Sequence, residues 1–273
     1  MEHILIIQNI NLLAQLKNKS IVVETNTIEM IEQIKNAVQT NNSLFCIKLN
    51  INRAITSIPL KEEWQEIPLV IYPQSLGLVR DLVALLPVLK KLNVKFFLDG
   101  AIERNYEAVQ ILSSFGIYSG MVITKYAYWE KLTDLMYYAI CSKIAHAPIE
   151  PFQYVYDMYE RNTLVDYGTV YFNNPTKFLY IGNDGRVAFS KQHLEGRKFF
   201  LNNVNEINEL EDNKDYLQYI KSWQKFFYEP TQCAACAAWR ICLGKYADLE
   251  DKIGCQNFTT DLFNIIDNNK FKK

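Results

Sequence analysis

The sequence lacks both a long run of apolar residues and an excess of charge of either sign. The longest apolar candidate, residues 82–92, is broken by Pro87 and by lysines, whereas a membrane span needs roughly 18 apolar residues in a row. The net charge of −1 argues against a nucleic-acid binder that relies on a basic surface. We therefore expect no membrane and no nucleic acid among the partners.

The sequence also lacks the common catalytic motifs. It contains no G-x-S-x-G, no H-E-x-x-H and no phosphate-binding Walker loop. The histidines are scattered, at positions His3, His146 and His193. Acidic residues near the carboxyl ends of predicted strands, where α/β folds place active sites, are Glu24, Asp99 and Glu103. Such acids are commonly loop and helix-start residues, so we assign none of them to catalysis.

Residues 1–150 alternate short apolar runs with segments of helical periodicity. This alternation predicts βαβ units and a parallel sheet of about five or six strands, too few for a complete eight-stranded barrel. An open or partial barrel, or a doubly wound sheet, fits better.

Local patterns add detail to this α/β half. Asn26 followed by Glu29 predicts a capping box at a helix start, and residues 44–49 predict a strand. We expect residues 50–66 to be irregular. Pro87 predicts an interrupted or bent helix.

The second half of the chain has a different character. Asn183-Asp184-Gly185 between two apolar runs predicts a β-hairpin. Residues 204–227 predict helical structure, and a last helix is expected after Cys255. Pro148 and Pro151 mark the expected boundary between the halves.

Four of the six cysteines lie close together near the C-terminus. Their spacing is C-x2-C-x5-C-x12-C, at Cys233, Cys236, Cys242 and Cys255. Four thiolates suit a tetrahedral Zn²⁺ or a [4Fe–4S] cluster equally well. A disulfide knot would need an oxidising compartment, but residues 1–8 lack the basic start of a secretory signal, so we expect a cytoplasmic protein. Four unconnected core cysteines would be a coincidence at this density.

Of the other two cysteines, Cys46 stands alone in a predicted strand and Cys141 stands alone in a predicted helix. A single cysteine in a regular element commonly acts as a small buried apolar residue. We therefore predict that both are buried.

The hairpin Asp184-Gly185-Arg186-Val187, followed by C-x2-C-x5-C and a later Cys, resembles the SPASM domain, the C-terminal extension of many radical SAM enzymes that modify peptides. The first half resembles part of a radical SAM partial barrel. The resemblance implies a degenerate partial (β/α) barrel or open parallel sheet at 1–150, a connector at 151–177, and a small SPASM-like metal-binding domain at 178–273.

Two departures from the family pattern qualify the implied function. The chain lacks the C-x3-C-x2-C motif that binds the catalytic cluster, so neither S-adenosylmethionine binding nor radical initiation is expected. A second SPASM cluster would need cysteines where this chain has Ser190 and Tyr246, and one within residues 169–175. The four cysteines near the C-terminus match the remaining ligand set, so the resemblance favours one [4Fe–4S] cluster over the alternative, one Zn²⁺.

This combination is similar to pseudo-radical-SAM/SPASM proteins that accompany ribosomal peptide maturation systems. It implies a non-catalytic accessory protein that binds a precursor peptide or a partner radical SAM maturase. The four-cysteine site would be structural or would relay electrons. The alternatives are a zinc-stapled protein-interaction module without a redox role, and an enzyme of unrecognised chemistry.

Overall fold

The structure, a computed structural model, describes residues 3–38, 42–160, 164–225, 233, 235, 236, 241 and 252–271. The described strands are β1 (Ile4–Ile7), β2 (Ser20–Thr25), β3 (Ser43–Ala54), β4 (Leu69–Ser75), β5 (Val94–Asp99), β6 (Ser119–Val122), β7 (Ile149–Glu150), β8 (Phe178–Ile181) and β9 (Val187–Ala188). The described α-helices are α1 (Ile31–Val38), α2 (Val79–Leu89), α3 (Arg104–Ser114), α4 (Trp129–Cys141), α5 (Phe152–Met158), α6 (Lys191–Glu195), α7 (Lys214–Lys225) and α8 (Lys252–Phe271). Short 3-10 helices connect several of these elements.

All nine strands form one open sheet in the order β7-β6-β5-β4-β3-β2-β1-β8-β9. The pairs are parallel except β8 with β9. Strands β1 to β7 follow one another across the sheet in chain order, so each crossover steps in the same direction. Crossovers of one hand then place the connecting helices on one face. The predicted α/β fold with an open, mostly parallel sheet is confirmed.

Successive residues of a strand point to opposite faces, and one hydrogen bond identifies the helix-covered face. The Ser119 hydroxyl of β6 donates to the Val109 carbonyl of α3 at 3.2 Å. Phe97 pairs with Gly120, the next residue of β6, and therefore points to the opposite face. We call this opposite face the second face. It is partly covered by the segment around Tyr171, whose ring contacts Phe97.

Several local predictions are confirmed and others are wrong. Strand β3 continues to Ala54, so residues 50–54 are not irregular as expected. Asn26 is not a helix cap: Thr27 holds the N-cap position of a short 3-10 helix and makes no side-chain capping bond. Helix α2 runs through Pro87 and ends at Leu89, so the proline does not interrupt it.

The predicted hairpin is confirmed, with Gly185 at φ +83° in its turn. Its first strand, β8, lies beside β1 in the main sheet. Ser190, where the SPASM pattern has a cysteine, caps helix α6 by accepting from the His193 N–H at 3.2 Å. The SPASM-like nature of residues 178–273 and the domain boundaries stay predictions.

The last helix, α8, packs against α4 and α5. Phe258 contacts Trp129 of α4 and Phe152 of α5, with ring centroids 5.8 Å and 6.2 Å apart. Phe258 is fully buried. None of the described helices has the length and apolar character to cross a membrane.

Candidate functional site

A cleft of about 750 Å³ lies at the carboxyl ends of β2 to β6. In open α/β sheets this edge is the usual place for ligand binding. Its lining residues are Asn26, Ile28, Glu29, Asn50, Ile51, Asn52, Arg53, Ile58, Pro59, Tyr72, Pro73, Gln74, Phe97, Asp99, Ile102, Val122 and Thr124. We call it the edge cleft.

Pro73 explains why the sheet opens here. Strands β4 and β5 pair only as far as Ile71 with Phe96. The Leu69 N–H donates to the Asn93 carbonyl, on the β5 side, at 2.9 Å. Because the backbone groups of successive residues point to alternate sides of a strand, the backbone at position 73 faces β5 as well. Because proline has no N–H, the ladder loses its next donor at the point where the strands separate.

Two stacked aromatic rings form the floor of the edge cleft. Tyr72 and Phe97 lie parallel, with centroids 5.4 Å apart and planes 18° apart. Gly120 makes room for this stack, because a Cβ there would lie 2.7 Å from a Phe97 ring carbon. The Tyr72 hydroxyl is buried and has no hydrogen-bond partner among the described residues. Burial raises the pKa of Tyr72 well above its ordinary value.

Beside the floor, a buried carboxylate of β2 connects β3, helix α6 and the residue that follows β1. Glu24 of β2 is only 4% exposed and lies 3.0 Å from both the Lys48 and the Lys191 ammonium groups. The Gln8 and Asn50 side chains donate to it at 3.0 Å and 3.1 Å. Burial alone would raise the pKa of Glu24, but Lys48, Gln8 and Lys191 together lower it to about 2. The carboxylate is therefore ionised and fully engaged.

Lys48 is held from two further sides. Its ammonium lies 5.2 Å from the Tyr72 ring centroid and 5.8 Å from that of Phe172. Cations over aromatic faces are attracted by the ring quadrupole. Lys48 is 8% exposed, so it serves as a fixed internal cation that orients the floor.

The other two acids from the sequence analysis occupy ordinary positions. Asp99 ends β5 and accepts from the Ala101 N–H at 2.9 Å. Glu103 precedes α3 and pairs with Lys131 at 3.3 Å, with both side chains about half exposed. Glu24 differs from these two, because its partners make it part of the fold beside the edge cleft.

The walls of the edge cleft are rich in side-chain amides. Asn26, Asn52 and Gln74 are exposed, and Asn50 is half-buried. Each amide offers two N–H donors and one acceptor. None of these residues belongs to a ligand-binding motif that can be recognised in the sequence. The only sequence signal is their place just after three predicted strands, at residues 20–25, 44–49 and 68–72.

Three of the four predicted metal ligands lie within the described residues. Cys233 and Cys236 lie in one turn, in which the Cys236 N–H donates to the Cys233 carbonyl at 3.1 Å. Cys255 lies in the first turns of α8, and all three cysteines are half-buried. Cys242 lies outside the described residues. No set of three or more metal-ligating side chains converges among the residues that are described.

The two isolated cysteines have different outcomes. Cys46 is 2% exposed, as predicted, and burial raises the pKa of its thiol to about 12. Cys141 is exposed, so the prediction that it is buried is wrong. It is the last residue of α4, and the residues just before it, Ala139 and Ile140, are only partly buried against the core.

Comparison with protein-family models, with curated proteins and with solved structures finds no significant match to this chain. The SPASM resemblance therefore stays a prediction. The edge cleft and the Cys233–Cys236 turn are the two features that suggest a function.

Proposed function

We propose that this protein is a non-catalytic accessory protein that binds a peptide in the edge cleft. The observation that supports this proposal is the lining of the cleft, in which four amide side chains surround an aromatic floor. A peptide backbone presents one N–H and one C=O per residue, which amides can satisfy in either direction. The resemblance to pseudo-radical-SAM/SPASM proteins supplies the context, a cytoplasmic peptide maturation system with a precursor peptide or a maturase as partner.

The size and chemistry of the cleft support a peptide over a compact, highly charged ligand. A volume of about 750 Å³ falls within the usual range for ligand sites. Only three charged side chains line it, namely Glu29, Arg53 and Asp99. Ile28, Ile58 and the two floor rings offer apolar contact to peptide side chains.

Affinity selection from a pool of random dodecapeptides tests this proposal. We expect the protein to retain a subset of the pool with Kd values below about 100 μM. Replacing two exposed cleft amides, Asn26→Ala with Gln74→Ala, should weaken these complexes about tenfold or more. The matched control replaces two exposed amides outside the cleft, Asn11→Ala with Gln218→Ala. No retained peptide, or equal losses in both double variants, would overturn the proposal.

We propose further that Cys233, Cys236, Cys242 and Cys255 hold one [4Fe–4S] cluster, with one Zn²⁺ as the alternative. The Cys233–Cys236 turn fits such a group, because it keeps two thiols on one short loop. When bound, a fully thiolate-ligated group supplies structural stability or electron transfer. Through Cys255 it would fasten the cysteine region to α8, which packs on α4.

Metal analysis of anaerobically purified protein tests the cysteine site. About four irons and four sulfides per chain, with thiolate-to-iron absorption, would support one cluster. One zinc without iron would support the zinc-stapled alternative and exclude an electron relay. Neither metal would overturn the metal proposal and leave the peptide proposal untouched.

A further inference from the structure

We propose that the peptide binds as an added strand on the uncovered edge of β3, at residues 50–53. This inference rests on the proposed function, because it specifies how the edge cleft would hold its peptide. The occupant is an extended segment with at least one basic residue.

Strand β3 is much longer than its neighbour β2. Pairing between the two ends at Thr25 with Leu49, whereas β3 continues to Ala54 alongside β4. Within the described part of the chain, no strand lies opposite residues 50–53 on the β2 side. All four of these residues line the edge cleft, and Asn52 and Arg53 are exposed.

The backbone of Asn50 faces this uncovered side. The Ile47 N–H donates to the Pro68 carbonyl, on the β4 side. Because the backbone groups of successive residues point to alternate sides of a strand, the N–H and C=O of Asn50 point toward β2. Were β2 to continue, the Thr27 N–H would donate to the Asn50 carbonyl. It donates instead to the Thr25 hydroxyl at 3.1 Å, so the chain turns away and leaves that carbonyl to an incoming donor.

The opposite side of β3 pairs with β4 at Asn50 and Ile51 and, after a register shift, again at Ala54. Asn50 pairs with Tyr72, and Ile51 with Pro73, on β4. The edge is therefore already extended before a peptide arrives, which lowers the ordering cost of binding. An extended peptide matches such an edge through its main chain and uses alternate side chains for specificity.

The charges around this edge favour a basic residue in the peptide. Glu29 and Asp99 place two exposed carboxylates on the lining, against one guanidinium, that of Arg53. A lysine or arginine of the peptide would balance the excess carboxylate. Complementary charge of this kind directs register and specificity more than raw affinity.

Three forms of one random dodecapeptide pool test the strand mode: a natural backbone, N-methylation at every second residue, and N-methylation throughout. A strand edge uses only alternate N–H groups of its partner. We therefore expect binders from the first two pools and none from the third, and enrichment of Lys and Arg among them. Alternate N-methylation would abolish helical binding, because it removes helix donors.

The outcomes separate the two proposals. No binders from the natural pool would overturn the proposed function itself. Binders from the natural pool alone would leave the proposed function standing and overturn the strand mode. Binders from all three pools would also overturn it, because main-chain pairing would then be unnecessary. Binders without enrichment in Lys or Arg would overturn the proposal that the peptide carries a basic residue.

A measurement on the protein itself tests whether the peptide binds at the edge of β3. Binding of a selected peptide should slow amide hydrogen exchange at Asn52 about tenfold or more, because alternation from Ile51, which pairs with β4, directs the Asn52 N–H to the uncovered side. Asn52→Ala removes only the side-chain amide, whereas Asn52→Pro also removes one N–H from this edge, so the proline variant should bind about tenfold more weakly than the alanine variant. If the proline variant does not fold, the exchange measurement decides alone. Unchanged exchange at Asn52 would place the peptide elsewhere.

Discussion

The ammonium group of Lys48 lies 3.0 Å from the carboxylate of Glu24, and the two residues are register partners on β3 and β2. Both side chains are buried, at 10% and 2% exposure. The pKa of Glu24 falls from 4.5 to about 2 in this setting. A carboxyl group with a lowered folded-state pKa stabilises the fold above its unfolded pKa, and that contribution is lost as the pH falls through the folded-state value.

This ion pair predicts the acid sensitivity of the fold. Each pKa unit corresponds to 1.36 kcal/mol, so Glu24 should contribute about 3 kcal/mol that disappears between about pH 5 and pH 2. Glu24→Gln should be less stable than the wild type at neutral pH, and the difference should shrink by about that amount at low pH. Urea unfolding of both proteins across this range measures it. A difference that stays constant with pH would contradict the assignment.

The two lysines that contact Glu24 should not be equivalent. Lys48 is buried, whereas the Lys191 side chain is 43% exposed. Lys48→Met should cost about 3 kcal/mol of unfolding free energy, because it removes a buried partner from a buried charge. Lys191→Met, the matched control, should cost less than about 1 kcal/mol, because water screens an exposed pair. Equal costs in chemical unfolding would show that burial does not set the strength of these contacts.

Much of the fold could be predicted from the sequence, because apolar periodicity is a local signal. Strand β2 and helix α4 follow directly from their patterns. The length of β3 could not be predicted in this way. Residues 50–54 include three polar side chains and precede Pro59, so they resemble a loop, and only pairing with β4 makes them a strand.

The candidate cleft could not be predicted for a related reason. Lys48 lies in an apolar run and gives no sign that it will contact Glu24, more than twenty positions away. Pro73 looks like a chain breaker, yet its effect depends on which neighbour its missing N–H would face. By contrast, the cysteine site could be proposed from the sequence alone, because Cys233, Cys236, Cys242 and Cys255 lie close together along the chain.

The cysteine site makes a prediction that separates it from the isolated cysteines. Cys233→Ser should lower bound metal to nearly zero and reduce the helicity and melting temperature of the protein, because metal ligation contributes folding free energy of order 10 kcal/mol in structural sites. Cys141→Ser, at an exposed helix end, is the matched control and should change neither. Metal content by mass spectrometry and circular dichroism measure these effects. Full metal retention in the Cys233→Ser variant would show that Cys233 is not a metal ligand.

Pro73 predicts how the cleft can be closed. The Phe96 N–H donates to the Tyr118 carbonyl, on the β6 side, so the Phe97 carbonyl faces β4 by alternation. Pro73→Ala restores an N–H directed at that carbonyl. We expect the β4–β5 ladder to extend by one bond, the new amide at position 73 to exchange slowly, and selected dodecapeptides to bind about tenfold more weakly.

The matched control is Pro59→Ala, because Pro59 also lines the edge cleft but belongs to no strand. It should leave dodecapeptide binding within about threefold of the wild type. Native-state hydrogen exchange and titration calorimetry on the two variants make the comparison. Rapid exchange of the amide introduced at position 73, together with undiminished binding, would mean that the missing donor does not hold β4 and β5 apart. The separation would then have to come from the Tyr72–Phe97 stack, which fills the gap between the same two strands.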